Sequence, residues 1–373
     1  MVGPNCENAC TSGVGKGNER MQGGSFHQSL LASDDFATYS LRSSFFVRQL
    51  RAVNLWSAVK EVERLAEVSH GFTWSARAQW GIDELAWGRA GQWGLEPLKL
   101  FCHPRVLAEQ PRLLLYYRTM ALLSRKGLAS LVGGEVARIE AGGVDAIKED
   151  FLHRLVVALN SIVSAMISAA AELADHQLPG LQFAAAGATI QGSWNNAIGA
   201  EGEAAVRTVL VRRLEKEIVQ AVWRDGSTSF FHEIGLTGLI DRVSDLRVLR
   251  LTHGYHLKFA SEPDASLRDA ADVPQVAIEV KAGSDPAGAL ERLGAAMKSF
   301  ENDCSANPRV KTVYVVRCMT PELRKRIDET RPFDYTFSLA ELLADDRTQR
   351  TFANLLVRTV VEPRPGPGGA APT

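Results

Sequence analysis

The spacing of apolar and polar residues divides the chain into a helical first part and a mixed second part. From about Ser44, apolar residues recur at steps of three and four, which is typical of amphipathic helices. A further helical run begins after Pro111, and a long one covers about 144–174 before a Pro-Gly pair ends it. Residues 41–180 are therefore predicted to be mostly helical, with their Trp and Tyr side chains packed in the core.

The pattern changes after residue 180. A Gly- and Ala-rich stretch is followed by a helix predicted over 200–223, and then by short segments that are β-branched or alternating. Asp285 and Pro286 mark the start of a further helix over 286–300. The buried stripe of that helix is predicted to be Leu290, Leu293, Met297 and Phe300, and the predicted strands are 229–234, 239–243, 246–259, 276–281 and 311–317.

Composition excludes several classes of protein. The chain has 373 residues, of which 46% are hydrophobic and 23% charged, so collagen-like, wholly disordered and disulfide-scaffold proteins do not fit. At roughly 100–200 residues per domain, this length predicts two domains. Because 42 Lys and Arg oppose 43 Asp and Glu, any surface for nucleic acid must be a local patch.

Cysteines and hydropathy predict a reduced protein outside the membrane. Five cysteines at irregular spacing indicate free thiols in the cytoplasm, and Cys6 and Cys10 lack partners at zinc-binding spacing. The uncharged segment 155–171 is shorter than the ~20 apolar residues that cross a bilayer, and polar residues recur in it at helical spacing. We therefore expect a buried helix there.

The predicted strand 276–281 carries two charges on one face. Side chains alternate along a strand, so Ile278 and Val280 point to one side while Glu279 and Lys281 point to the other. A carboxylate and an ammonium on a hydrophobic strand cost several kcal/mol unless they are paired or bind a metal. This pair is the first candidate for chemistry.

Further carboxylates precede this strand. Asp241 ends a short apolar run, and Asp245 is an alternative at the start of the next one. We favour Asp241, because a ligand at the end of a strand is easier to aim. Glu203 lies on the apolar stripe of the preceding helix, whereas Glu201 is predicted to point into solvent.

Two carboxylates, a lysine and a flanking glutamate suit a hard divalent cation and a phosphodiester. Mg²⁺ prefers carboxylate oxygens and keeps several waters. The ion can polarise a phosphate and lower the pKa of a bound water, and a nearby ammonium can orient that water and offset developing charge.

The order helix-Glu, Asp, Glu-x-Lys on a helix–strand–strand–strand–helix–strand path resembles the PD-(D/E)XK nuclease superfamily, and most of all its type II restriction endonucleases. The resemblance covers about 200–317 and implies an α/β fold, a restriction-endonuclease-like mixed sheet flanked by helices, with the large helical N-terminal region beside it. One departure is that Ile, not Pro, precedes Asp241. The resemblance implies Mg²⁺ bound by Asp241, Glu279 and the carbonyl of Val280, with Lys281 acting on the attacking water and Glu203 in the outer coordination sphere.

The resemblance also implies a function. It is Mg²⁺-dependent, sequence-specific hydrolysis of double-stranded DNA to 5′-phosphate ends, by a cytoplasmic homodimer whose genetic partner is a cognate DNA methyltransferase. Arg242, Arg292 and Lys298 are the candidates for DNA contacts. Composition and pattern together with the resemblance predict a disordered leader (1–40), a helical region for dimerisation or DNA reading (41–180), a catalytic domain (181–362) and a disordered tail (363–373).

Other interpretations of the same residues stay open. The nuclease could act on branched DNA in repair or recombination, or the charges could be structural in a non-catalytic DNA-binding scaffold. Glu279 and Lys281 could be a solvated pair on an edge strand, and Asp241 could pair with Arg242. Glu203 could have no role beyond complementing the dipole of its helix.

Overall fold

A computed structural model describes residues 35–68 and 71–361 of the chain. The predicted tail, most of the predicted leader, Cys6 and Cys10 lie outside these residues. Residues 35–40 belong to a helix, so the leader prediction is wrong at that end. Within the described ranges, Cys102, Cys304 and Cys318 are free thiols, as predicted.

Helices build the first part of the molecule around one hydrophobic core, as the apolar spacing predicts. Tyr116 and Tyr117 are buried in this core, and Trp74, Trp80 and Trp87 pack against it. The helices are α1 (Asp35–Val53), α2 (Leu55–Glu67), α3 (Glu84–Gln92), α4 (Pro97–Leu100), α5 (Pro104–Glu109), α6 (Leu114–Met120), α7 (Arg125–Val132), α8 (Val136–Glu140) and α9 (Glu149–Ala169).

Helix α9 is the one helix in the described ranges that is long and apolar enough to cross a membrane, by length and composition alone. It packs instead in the core of the helical region, where Leu159 and Val163 are buried. The buried amide of Asn160 donates to the carbonyls of Trp80 and Cys102, at 3.0 Å each. These contacts favour the predicted core helix over a membrane span.

One long helix, α10 (Leu178–Arg213), joins the two parts of the molecule. Its start packs in the first core, whereas Trp194 and Ile198 pack in a second core. The prediction of a helix over 200–223 is therefore wrong at both ends. The Gly- and Ala-rich stretch is helical because Ile190, Trp194 and Ile198 recur every four residues and are buried on one side.

The second part of the molecule is a sheet flanked by helices, which confirms the predicted α/β class. Eight strands of the described residues pair in the order β2-β1-β3-β4-β5-β6-β7-β8, antiparallel from β2 to β6 and parallel from β6 to β8. The strands are β1 (Ile218–Trp223), β2 (Thr228–Phe230), β3 (Leu246–Leu251), β4 (His256–Phe259), β5 (Ala265–Arg268), β6 (Pro274–Lys281), β7 (Lys311–Val316) and β8 (Tyr335–Ser338). The helices are α11 (Phe231–Asp241), α12 (Ala289–Ser299), α13 (Glu301–Ala306), α14 (Pro321–Thr330), α15 (Leu339–Ala344) and α16 (Asp346–Val361).

The strand predictions hold where alternation is long and fail where it is short. β6 and β7 are confirmed, and the predicted strand 246–259 is split into β3 and β4 by a turn at Thr252–Gly254. The predicted strand 239–243 is wrong, because Leu239 and Ile240 belong to α11. Short apolar runs fit a helix as well as a strand, and tertiary packing decides between them.

The sheet has two different faces. We call the side that packs against α10 and α16 the core face, and the opposite side the outer face. Helix α12 packs on the outer face of β6 and β7 through Leu293 and Phe300. Leu290 and Met297 were predicted to be buried beside them, but they are 54% and 48% exposed because the contact stripe of α12 is narrow.

Candidate active site

The end of β6 carries the acidic and basic pair that the sequence predicts. Glu279 is 1% exposed, and its Oε1 forms an ion pair with Nζ of Lys281, whose side chain is largely buried. Both residues follow Ala277 on the outer face of the sheet, since side chains alternate along the strand. The solvated edge-strand interpretation is wrong, because β6 lies between β5 and β7.

A second buried carboxylate, that of Asp264, adjoins Glu279. In the antiparallel register of β5 and β6, Ala265 pairs with Ile278, so the residue before β5 comes to lie beside Glu279. The N–H of Val280 donates to Oδ2 of Asp264 at 2.7 Å, and the N–H of Asp264 donates to Oε2 of Glu279 at 3.4 Å. The two acids are thus held together by the backbone of two neighbouring strands.

A hydroxyl from the outer-face helix fixes Glu279. Oγ of Ser299, at the end of α12, donates to Oε2 of Glu279 at 2.7 Å, and both groups are buried. Lys281 occupies the other oxygen of the carboxylate. Glu279 therefore has a defined orientation, because each of its oxygens has a donor.

The electrostatics of this cluster favour a bound cation. Burial raises the pKa of Asp264 well above its ordinary value of 3.8, and the carboxylates of Glu279 and Glu203 raise it further. The hydrogen bond from Val280 and the charge of Lys281 act in the opposite direction but do not compensate. When ionised, the carboxylates of Asp264, Glu279 and Glu203 outnumber their two cationic partners, Lys281 and Arg207, and a divalent cation would relieve this imbalance.

Helix α10 brings its acidic residues to the site by a close approach to the sheet. At Gly202, a Cβ atom would come within 2.2 Å of the Cβ of Ala282, just beyond β6. This contact requires glycine, and it sets the next residue, Glu203, close enough to act on the pKa of Asp264. Glu203 also accepts a hydrogen bond from the largely buried guanidinium of Arg207 at 3.1 Å.

Glu201 does not point into solvent, so that prediction is wrong. Burial raises the pKa of Glu201 to about 7, although the charge of Arg317 lowers it. Its Oε2 is buried without a hydrogen-bond partner among the described residues. Helical periodicity alone does not show that Glu201 is buried, because the burial depends on the strands that flank α10.

The structure does not bring Asp241 to this cluster. Asp241 is exposed at the end of α11, a helix that packs against β1 and β2. β1 lies four positions from β6 in the sheet, which is about 19 Å at the usual strand spacing. In the part of the chain that the structure describes, neither Asp241 nor the exposed Asp245 has a hydrogen bond or ion pair with Glu279 or Lys281.

The predicted DNA contacts lie on different elements. The guanidinium of Arg242 lies 3.9 Å from the ring centroid of Trp223, and within the described residues it forms no ion pair with Asp241. Arg292, on α12, donates to the backbone carbonyl of Asp285. The side chain of Asp285 accepts from the N–H of Ala287 and so caps the turn before α12, as predicted. Lys298 is exposed beside Ser299 on the same helix.

Sequence reasoning missed Asp264 and Ser299. Asp264 lies in 260–275, between two predicted strands, where the sequence predicted no element, although Pro263 precedes it and the short alternating segment of β5 follows it. That dipeptide before a short strand is the signal that would have found it. Ser299 has no such signal, because its role depends on how α12 packs against β6.

The ligands present suit Mg²⁺. No three His, Cys, Asp or Glu side chains within residues 35–68 and 71–361 converge into a complete ligand set. Mg²⁺ needs only one or two carboxylates and keeps several waters, which agrees with the Asp264 and Glu279 pair. The donor set is all oxygen, as a hard cation prefers.

Comparison with known proteins gives concordant matches. A sequence model of the XcyI restriction endonuclease family matches residues 82–349. The chain is also similar to the type II restriction enzyme XcyI of Xanthomonas campestris pv. cyanopsidis, at 27% identity over 279 residues, which cover 69% of this chain and 74% of the relative. The family match contains the whole cluster around Glu279 and extends well into the N-terminal helices.

Proposed function

The chain belongs to the XcyI restriction endonuclease family, and we propose that it hydrolyses the phosphodiester bonds of double-stranded DNA at a specific sequence with Mg²⁺. The observation that carries this proposal is the contact between two buried carboxylates, Asp264 and Glu279, beside the ammonium of Lys281. Pro263-Asp264 and Glu279-x-Lys281 also supply the PD-(D/E)XK pattern, which supports membership of that superfamily. In this proposal Asp264 replaces Asp241 as the metal ligand.

Asp264, Glu279 and the carbonyl of Val280 would hold the ion. When bound, Mg²⁺ would act as a Lewis acid on the scissile phosphate and lower the pKa of a water molecule. The raised pKa of Asp264 supports this assignment. A bound cation would compensate the negative charge around Asp264 and so favour the deprotonated carboxylate, which is the form that binds a metal.

The protein side chains have separate roles. Lys281 can donate a hydrogen bond to the attacking water and stabilise the negative charge that develops on the phosphate. Ser299 and Lys281 hold the Glu279 carboxylate in one orientation. Glu203, paired with Arg207, adds negative charge at the outer edge of the site.

The wider biological setting follows from the chemistry of duplex DNA. The two strands of a palindromic site are related by a two-fold axis, so a homodimer would place one site at each strand. In this proposal water attacks the phosphorus and the P–O3′ bond breaks, so the 3′ oxygen leaves as a hydroxyl and the phosphate stays on the 5′ end. A cytoplasmic enzyme of this kind requires a cognate DNA methyltransferase to protect the host genome. Arg242, Arg292 and Lys298 remain proposed DNA contacts.

A cleavage assay tests the proposal. We expect the wild-type protein to cut plasmid and genomic DNA into discrete fragments with Mg²⁺ and to be inactive in EDTA. Asp264→Asn and Lys281→Ala should abolish cleavage, whereas Asp328→Asn, an exposed change on α14, should not. Discrete fragments that persist in both site variants would refute the site. Cutting of branched DNA without sequence preference would identify a structure-specific nuclease instead.

A further inference from the structure

Three strands of the sheet leave their outer face open. Helix α12 and its neighbours pack on the outer face of β6 and β7, but the corresponding side of β1, β3 and β4 is exposed to solvent. Val219 of β1 is 44% exposed there, and Arg250 of β3 and Lys258 of β4 are exposed as well. We call this side of the three strands the open sheet face.

The charged groups on this face have one sign. Arg250 and Lys258 project from two paired strands, and Arg247 shares their side because a β-bulge between Leu246 and Val248 interrupts the alternation of β3. Strands β1, β3 and β4 carry no acidic residue. None of the three forms an ion pair with any residue in the described ranges. Two acidic residues border the face: Asp245 directly precedes β3, and Asp272 pairs with His256 and Arg268 and is also close enough to Lys258 for that charge to lower its pKa.

The open sheet face borders β5, where Ser266 is buried under Asp303 of α13, and the candidate active site lies on the far side of that strand. Lys258 pairs with Ser266 of β5, and Ser266 pairs with Ala277 of β6, two residues before Glu279 on the same face. Two strand spacings and two residue rises place Lys258 about 12 Å from Glu279. This is between three and four base-pair rises of about 3.4 Å in one DNA strand.

We propose that Arg247, Arg250 and Lys258 on the open sheet face bind the sugar-phosphate backbone of the DNA duplex beside the cleaved bond. The inference rests on the proposed nuclease function and adds the surface that holds the substrate. A protein with a net charge of −1 attracts DNA only through a local patch, and this patch carries three cations that form no ion pair with the residues the structure describes. Contacts with phosphates position the duplex and are independent of sequence.

Salt-dependent binding tests the surface without knowledge of the recognition sequence. The probe is a labelled duplex of mixed sequence, and its affinity is measured by fluorescence anisotropy in EDTA over a range of salt concentrations. Each lost phosphate contact should make the slope of log K against log salt shallower by about 0.9. The variant with Arg247, Arg250 and Lys258 changed to Ala should therefore lose nearly three units of slope and on the order of 100-fold in affinity at about 0.1 M salt.

A matched variant controls for total charge. Arg324, Lys325 and Arg326 are equally basic and exposed, but they lie on α14 among acidic residues. Their change to Ala should leave the slope near that of the wild type. Single changes Arg250→Gln and Lys258→Gln should each remove about one unit, which keeps the test informative if the triple variant folds poorly.

The outcomes separate this inference from the proposed function. The variant with Arg247, Arg250 and Lys258 changed to Ala is called the open-face variant. In Mg²⁺ it should show a higher KM for DNA with unchanged cut positions and kcat, because these three residues do not contact the reacting atoms. Wild-type salt dependence in the open-face variant would overturn the inference while the nuclease assignment stands. A change in solution mass with unaltered salt dependence would show that a second copy covers the face, and the inference would be wrong. A wild-type protein that neither binds nor cuts DNA would refute the proposed function, and this inference with it.

Discussion

Asp264 and Glu279 lie side by side in the interior, and Lys281 is the cation that pairs with Glu279. Two buried carboxylates that lie side by side resist full ionisation, and burial and the charge of Glu279 therefore raise the pKa of Asp264. A carboxylic acid whose pKa is raised in the folded state stabilises the fold at low pH and loses that contribution as the pH rises. The same residue is therefore a cost to stability at neutral pH and a ligand for the proposed metal.

The Asp264→Asn variant should separate these two effects. We expect it to lose metal binding and cleavage, yet to unfold at a higher temperature than the wild type in EDTA at alkaline pH. The gain should be about 1–3 kcal/mol and should vanish below about pH 3, where the wild-type carboxyl is protonated in the unfolded state as well as in the folded state. Melting curves over a pH series measure it, with Asp328→Asn as the control. A variant that is no more stable than the wild type at any pH would contradict the charge argument.

In the Ser299→Ala variant, the carboxylate of Glu279 should no longer be held in one orientation. The change removes the donor at 2.7 Å and leaves one carboxylate oxygen without it, so the proposed metal affinity and the cleavage rate should each fall by about 10–100-fold. Calorimetric titration with Mn²⁺ and cleavage rates measure the two effects. Ser244→Ala, at an exposed hydroxyl near the end of α11, is the matched control. Equal metal affinity in all three proteins would show that Ser299 does not position Glu279.

At the scale of elements, α10 packs in a different hydrophobic core at each end. Its first turns belong to the helical core and its later turns pack on the sheet. At Gly202 the helix comes so close to Ala282 that a side chain does not fit, whereas a Cβ at Gly199 would meet no heavy atom of the described residues within 4 Å. One helix thus contains a glycine that the packing requires and a glycine that it does not.

Alanine at these two glycines should have opposite effects. Gly199→Ala should stabilise the protein by about 0.5–1 kcal/mol, because alanine restricts the unfolded chain and favours the helix. Gly202→Ala should destabilise it by roughly 1–3 kcal/mol through overpacking. By displacing Glu203, it should also slow cleavage by up to about 10²-fold. Urea unfolding and cleavage rates distinguish the two, and equal effects of both substitutions would refute the close approach.

At the scale of the whole molecule, two hydrophobic cores share α10, and the site lies where that helix meets the end of β6. The buried acids make the site sensitive to solution conditions, since only the deprotonated form of Asp264 can bind a cation. A bound ion would stabilise the folded protein by mass action.

Cleavage should therefore depend on pH and metal together. We expect activity at fixed, low Mg²⁺ to rise as the pH increases towards about 8, because burial and the charge of Glu279 raise the pKa of Asp264 to about 8 and keep its carboxyl protonated at lower pH. A higher Mg²⁺ concentration should shift the rise to lower pH, and Mg²⁺ should raise the melting temperature relative to EDTA. A pH profile that does not move with Mg²⁺ would separate the ionisation from metal binding.

The sequence by itself determined the features that depend on neighbouring residues. Alternation along β6 placed Glu279 and Lys281 on one face, and the capping role of Asp285 marked the start of the helical segment that continues into α12. Helical periodicity likewise identified the N-terminal helical region. These patterns are local, so they can be recognised without the rest of the fold.

Only the tertiary structure decided which acid faces Glu279. Asp264 reaches it because Ala265 pairs with Ile278, and Asp241 does not because its short apolar run folded as α11. The hydroxyl of Ser299 and the open sheet face depend in the same way on which elements pack on the sheet. Side-chain direction follows from local backbone geometry, whereas strand pairing and helix packing join residues that are distant in the chain, and no local pattern specifies those partners.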